Sequence, residues 1–238
     1  MKNNNEMKTG IIIITYNIET RLFLLQIECI KKFCTDNFVI EIIDNSTNIE
    51  IAEAIKYHSC ILGLNYNRTY AIIKEYSQSH SFAANAAYQK LKDYYDIIFF
   101  LDHDCIPVAP FSCDEILGEK LFAGVMQKKE KIYFWPGCFM FQNKMINAEL
   151  VDFSVNHIHK LDTGGNLYQL IEYYGEGVCR FFSEGYCQNP EYSGKYDYFS
   201  IINDIFWHCI GGSNWFNIKN NDERINKFIN AVTEKING

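Results

Sequence analysis

Ile97-Ile98-Phe99-Phe100-Leu101-Asp102-His103-Asp104 is the stretch that orients the rest of the chain. Asp96–Leu101 is short and apolar without a polar face, so it reads as a strand buried on both sides. It ends on two carboxylates flanking a histidine. Gly10–Thr15 has the same character, with four isoleucines running into Thr15-Tyr16-Asn17, and Phe38–Ile43 runs into Asp44-Asn45-Ser46. Helical stretches lie between these strands. One runs from about Glu19 to Phe33, with Leu22, Leu25, Cys29 and Phe33 at helical spacing. Ile49–Tyr57 turns Ile51, Ala54 and Ile55 inward, and Ser81–Lys92 is rich in alanine. Cys60–Leu64 and Tyr70–Lys74 read as further strands joined by a polar link, Asn65–Thr69. This alternation predicts an α/β fold: a mostly parallel sheet with helices on both faces.

The second half changes character. Leu121–Gln127, Lys131–Trp135 and Cys138–Gln142 read as strands, with Trp135-Pro136-Gly137 interrupting the last two. Gly165–Tyr174 is helical, Tyr196–Cys209 is an aromatic stretch expected to return to the sheet, and Gly211-Gly212-Ser213 is a turn. Asp222–Ile236 closes the chain as an amphipathic helix, with Ile225, Phe228, Ile229, Val232 and Ile236 on one stripe. No linker or repeat divides residues 1–238, which predicts one domain with a mixed-strand second lobe.

Composition narrows the classes. Of 238 residues, 48% are hydrophobic and 21% charged, which excludes a disordered chain. A net charge of −7 argues against a nucleic-acid binder. No apolar run approaches the ~20 residues of a membrane helix, and Ile11–Ile14 is too short for a signal-peptide core, so a cytoplasmic protein is expected. The charges of the C-terminal helix nearly cancel, which favours packing on the core over peripheral membrane contact. The nine cysteines form no Cys-x-x-Cys pair; those in apolar stretches, such as Cys29, Cys60, Cys138 and Cys209, read as reduced, buried hydrophobes. His157-Ile158-His159 and His58-Ser59-Cys60 have no further paired ligands and are not assigned as metal sites.

Parallel α/β sheets bind ligands at the carboxyl ends of their strands. Three strands deliver polar groups to that edge here. Two carboxylates in one short turn suit a divalent cation bridging to phosphate oxygens.

Taken in order and spacing, Ile11–Asn17, Ile42-Ile43-Asp44-Asn45-Ser46, Ser81-Phe82-Ala83-Ala84-Asn85-Ala86 and Phe99–Asp104 resemble the inverting, family-2-like glycosyltransferases of the GT-A fold. The resemblance covers about residues 10 to 215. It implies a nucleotide-diphosphate sugar donor on residues 10–104 and a glycan or lipid-linked acceptor on residues 105–216, with residues 221–236 as a closing helix. It implies donor contacts from Thr15, Tyr16, Asn17, Asp44, Asn85, Asp102, His103 and Ser213, and Mn²⁺ or Mg²⁺ held by Asp102, Asp104 and His208. Trp135 and Gly137 would line the acceptor side, and Asp162 would be the general base in a hexosyl transfer serving polysaccharide biosynthesis.

Each role has a structural competitor. Asp44 can cap its turn, and Asn17 can cap the following helix. His103 points either into the fold or toward the donor. His208 is a ligand or a core histidine, and Trp135 a sugar platform or core. Asp162 is a base or an N-cap, with Asp152 and Glu149 competing as bases. The usual Asn-x-Gly before the alanine-rich segment is replaced by Ser79-His80-Ser81. Two other functions share this layout. A nucleotidyltransferase would carry a glycine-rich basic loop after the first strand, whereas Thr15–Arg21 has no glycine and one basic residue. A non-catalytic nucleotide- or glycan-binding module would lack the base.

Overall fold

The computed structural model describes residues 7–69, 76–186, 199–212 and 219–238. Its main sheet is built from β1 (Lys8–Thr15), β2 (Asn37–Asp44), β3 (Asn65–Arg68), β4 (Ile97–Asp102), β6 (Phe122–Lys128), β7 (Ile132–Gln142) and β8 (Cys179–Phe181), in the order β3-β2-β1-β4-β7-β6-β8. β1 pairs in parallel with both β2 and β4, while β7 is antiparallel to β4 and β6. β5 (Cys105–Pro107), β9 (Glu184–Tyr186), β10 (Ser200–Ile202) and β11 (Phe206–His208) form a second, antiparallel sheet in the order β5-β11-β10-β9.

The isoleucine run shows why both faces are covered. Ile11 and Ile13 enter one core cluster, while Ile12 and Ile14 enter the other, because successive strand side chains alternate. The first cluster packs α1 (Thr20–Phe33), α2 (Ile49–Ile61), α4 (Cys113–Leu117), α6 (Asn221–Asn237) and the small sheet against the main one. The second packs α3 (Tyr76–Leu91) and α5 (Tyr168–Tyr174) on the opposite face. The stripe of α6 is buried through Ile225, Phe228 and Val232, and Lys32 Nζ donates to the Ile236 carbonyl at 2.8 Å. No helix among the described residues is long and apolar enough to cross a membrane.

Four expectations need correction. Cys60–Leu64 is not a strand: α2 continues to Ile61 and the chain reverses at Gly63, whose φ of 67° suits glycine. That leaves Cys60 exposed, whereas the other seven described cysteines are buried free thiols. The polar link supplies the strand instead. β3 sits at the sheet edge, where polar residues are tolerated, and Asn65 donates to Glu41 at 2.9 Å. Trp135-Pro136-Gly137 does not break β7. The register against β6 shifts between Gly124 and Met126, and this irregularity accommodates a proline that lacks a ladder donor. The described part of Tyr196–Cys209 joins the second sheet rather than the first. The expected strand at Tyr70–Lys74 lies outside the described residues.

Candidate active site

The carboxyl ends of β1, β2 and β4 meet the end of β11 and the first turns of α3. Asp102 closes β4, and the turn to β5 is clamped by Gln26 of α1. Its amide donates to the Asp102 carbonyl at 2.6 Å and the Cys105 carbonyl at 2.8 Å. Sequence reading missed Gln26, although an amide on an otherwise apolar stripe was a usable signal.

Asp104 is almost fully buried. Its Oδ2 accepts the Gly212 N–H at 2.9 Å, and its carbonyl accepts the Cys209 N–H at 2.8 Å. A Cβ on Gly212 would stand 2.7 Å from the Asp104 Cβ, so only glycine lets that backbone come so close. Asp104 Oδ1 faces His208 Nε2 at 3.6 Å, with both side chains mostly buried. The His208 ring packs on Trp135 with centroids 4.8 Å apart. Trp135 in turn lies across Gly137, where a Cβ would fall 2.1 Å from the indole. Burial pushes the neighbouring Cys209 thiol up to about 12, and its Sγ accepts from Arg224 Nη1 at 3.6 Å.

His80, missing from the sequence assignment, occupies the centre. Its Nε2 lies 2.9 Å from Asp102 Oδ1. Burial is the largest influence on both groups and opposes their charged forms. It is outweighed by their mutual attraction and hydrogen bond, with Asp104 and Asp162 acting on the histidine and His103 and His208 on the aspartate. The His80 pKa is therefore raised and that of Asp102 lowered. A raised histidine contributes its stability in full below its ordinary ~6.5 and loses it as pH rises through the folded value. The lowered aspartate contributes above ~3.9 and loses it as pH falls. The ligand-free protein should therefore weaken as pH rises above ~6.5, and His80→Gln should show less of that decline. Urea midpoints followed across that rise measure this; an equal decline in the variant places its origin elsewhere.

Several assigned donor contacts point inward. His103 Nδ1 lies 2.8 Å from the Ile14 carbonyl, so its ring faces the fold rather than a donor. Asp44 is fully buried: it accepts from Thr15 Oγ1 at 3.1 Å, Ser46 N at 3.0 Å and Tyr66 OH at 2.7 Å. Thr15 and Asp44 thus fix the rim. Tyr16 and Asn17 stand half-buried above it, and Asn17 braces the two strand-end loops through Ser46, Thr47 and Asn48 rather than capping α1, whose cap is Glu19. Asn85 ties α3 to the opposite wall, donating to Asp152 and Ser154 and accepting the Phe153 N–H. Ser213 lies outside the described residues.

Asp162 is exposed and caps no helix. Its Oδ1 accepts the adjacent Thr163 N–H at 2.8 Å. Gly164, at φ 77°, packs where a Cβ would meet Pro136 at 2.7 Å, and Thr163 Oγ1 donates to the Ser77 carbonyl of α3 at 3.1 Å. Gly164 therefore docks the Asp162 loop onto the segment from Phe134 to Pro136, and Thr163 ties it to α3. Asp152 is engaged instead by Ser154, Asn85 and Asn166. Burial, the largest influence, would raise its pKa, but these hydrogen bonds hold it below the usual range.

Among the described residues no three His, Cys, Asp or Glu side chains form a complete metal cage. A hard cation that arrives with a diphosphate needs only one or two protein ligands, the rest coming from phosphate oxygens and water. Asp104 and His208 fit that half-shell.

With its polar site at the strand ends, this α/β sheet has a GT-A-like fold. Solved structures of similar fold include the mannosyltransferase PcManGT from Pyrobaculum calidifontis in complex with GDP-Man and Mn²⁺, with a TM-score of 0.52 and 12% identity over 75% of this chain and 55% of that one. GalNAc-T7 with UDP, GalNAc and Mn²⁺ gives 0.47 and 11% over 67% and 40%. This chain thus spans about half the length of these proteins. No protein-family model and no curated protein matches the sequence.

Proposed function

We propose that the chain is a metal-dependent glycosyltransferase that moves a hexosyl unit from a nucleotide-diphosphate donor to a hydroxyl of a glycan or lipid-linked acceptor, with inversion. The observation that carries this reading is the pairing of Asp104 with His208 at 3.6 Å, beside Asp102, at the ligand-binding edge of the sheet. The GDP-Man and Mn²⁺ held by the mannosyltransferase of similar fold support the donor and metal class.

In this reading Tyr16 and Asn17 receive the nucleoside on a rim fixed by Thr15 and Asp44. Asp104 and His208 hold Mn²⁺ or Mg²⁺, with Asp102 beside them. Such a cation, when bound, offsets the charge that grows on the departing diphosphate. Asp162 takes the proton from the acceptor hydroxyl as its oxygen attacks the anomeric carbon and the bond to the diphosphate breaks. A single displacement of this kind inverts the anomeric centre.

A thermal-shift series with UDP and GDP, in Mn²⁺ and in EDTA, tests the donor site. A nucleoside diphosphate should raise the melting temperature, and more so with metal. Equal shifts in both media would remove the metal from the reading. No shift with either nucleotide would remove the donor.

A further inference from the structure

A concavity lies along α3, the helix that carries His80, and the donor reading above does not use it. It is a cleft of about 320 Å³ between α3 and the segment 154–157, lined by Gln78, Ser81, Phe82, Asn85, Ser154, Val155 and His157. Among the described residues no Asp, Glu, Lys or Arg lines it, which disfavours a phosphate or another charged ligand. The Phe82 side chain is 48% exposed on a helix that packs on the core through Ala83, Ala84 and Ala87, so an aromatic surface is offered to whatever enters.

Ser81 gives the clearest sign of a ligand. It is 4% exposed, and its Oγ has no hydrogen-bond partner. A helical serine ordinarily returns its hydroxyl to the carbonyl four residues back. Here that carbonyl belongs to Ser77 and already accepts Thr163 Oγ1 at 3.1 Å. With the helical amide bond of Ser81 itself, both lone pairs of the Ser77 oxygen are used. The contact that docks the Asp162 loop therefore leaves the Ser81 hydroxyl unpaired at the floor of the cleft. A buried polar group without a partner costs free energy that a ligand can recover.

From this geometry we infer that the cleft is the acceptor subsite and that it takes a neutral glycosyl residue. The inference rests on the glycosyltransferase reading. A sugar ring matches the lining: its C–H face covers Phe82 and Val155, and its hydroxyls reach Ser81, Gln78 and Ser154. The opposite wall is held rigid. Asn85 ties Asp152, Phe153 and Ser154 to α3. Backbone bonds between Asn156 and Leu161 then carry the chain from that wall to Asp162. A sugar seated here would lie beside the loop that bears the proposed base.

Saturation-transfer NMR on the full chain, without donor, tests this with p-nitrophenyl glycosides of glucose, galactose, mannose and N-acetylglucosamine as probes, and with free p-nitrophenol as control. At least one glycoside should show saturation on its ring protons. Ser81→Ala should weaken it by about 2–10-fold, the worth of one hydrogen bond, and Phe82→Ala should weaken it further. The ligand-free melting temperature of Ser81→Ala should stay level or rise, because the hydroxyl removed has no partner. Saturation no better than that of p-nitrophenol, or affinity unmoved by both variants, would overturn the inference. Glycoside binding alongside a failed nucleotide shift would instead retire the transferase reading and leave a carbohydrate-binding cleft.

Discussion

Replacing Asp162 by asparagine should slow sugar transfer by about 10²–10⁴-fold, the usual worth of a positioned general base. The carboxylate is exposed and caps no helix, and among the described residues it bonds only the amide next to it. Asparagine keeps an oxygen for that amide, so the loop should hold its shape while losing the group that accepts a proton. Donor affinity should barely change, because Asp104 and His208 lie on other strand ends. Asp152 is a poor substitute base: Ser154, Asn85 and Asn166 occupy its oxygens, and its lowered pKa weakens it as a proton acceptor. Glu149 sits on a separate exposed turn. Transfer and nucleotide binding measured side by side on Asp162→Asn decide the point. Near-normal transfer would place the base elsewhere, with Glu149 the next residue to change.

The parallel half of the fold was legible because its strands are buried on both faces and leave unbroken apolar runs. β3 was not legible. Asn65-Tyr66-Asn67-Arg68 carries no apolar run, and its strand character comes from pairing with β2 at the sheet edge. The continuity of β7 through Pro136 depends on a register shift against β6, which no local pattern encodes. The candidate site divides in the same way. Asp102 and Asp104 follow directly from an apolar strand, so their place at the edge could be read from order alone. His80 and Gln26 reach the same point from helices, and only tertiary packing reveals that they clamp the side chain and the backbone of that turn. Sequence assigned His103 and Asp44 by position, but position does not fix side-chain direction. Within the single triplet from Asp102 to Asp104, the middle side chain turns into the fold.

Asp104→Asn should weaken Mn²⁺ binding in the presence of UDP or GDP by roughly 100-fold or more, since changes to supporting residues around a metal already cost ~10–100-fold. The substitution is nearly isosteric, and the amide oxygen can still accept the Gly212 N–H, so the close approach of that turn should survive. What disappears is the negative charge facing His208 across 3.6 Å. His208→Ala should also weaken the metal, but through a different loss: it removes a neutral donor and the ring that packs on Trp135. The two variants therefore separate on stability. Asp104→Asn should unfold near the wild-type urea midpoint, whereas His208→Ala should unfold earlier because it leaves a space beside the indole. Mn²⁺ titrations followed by electron paramagnetic resonance, with nucleotide present, report the metal directly and do not depend on turnover. An unchanged Mn²⁺ affinity in Asp104→Asn would show that the carboxylate serves only to hold Gly212. The ion would then have to be sought at Asp102, where His80 must first give way.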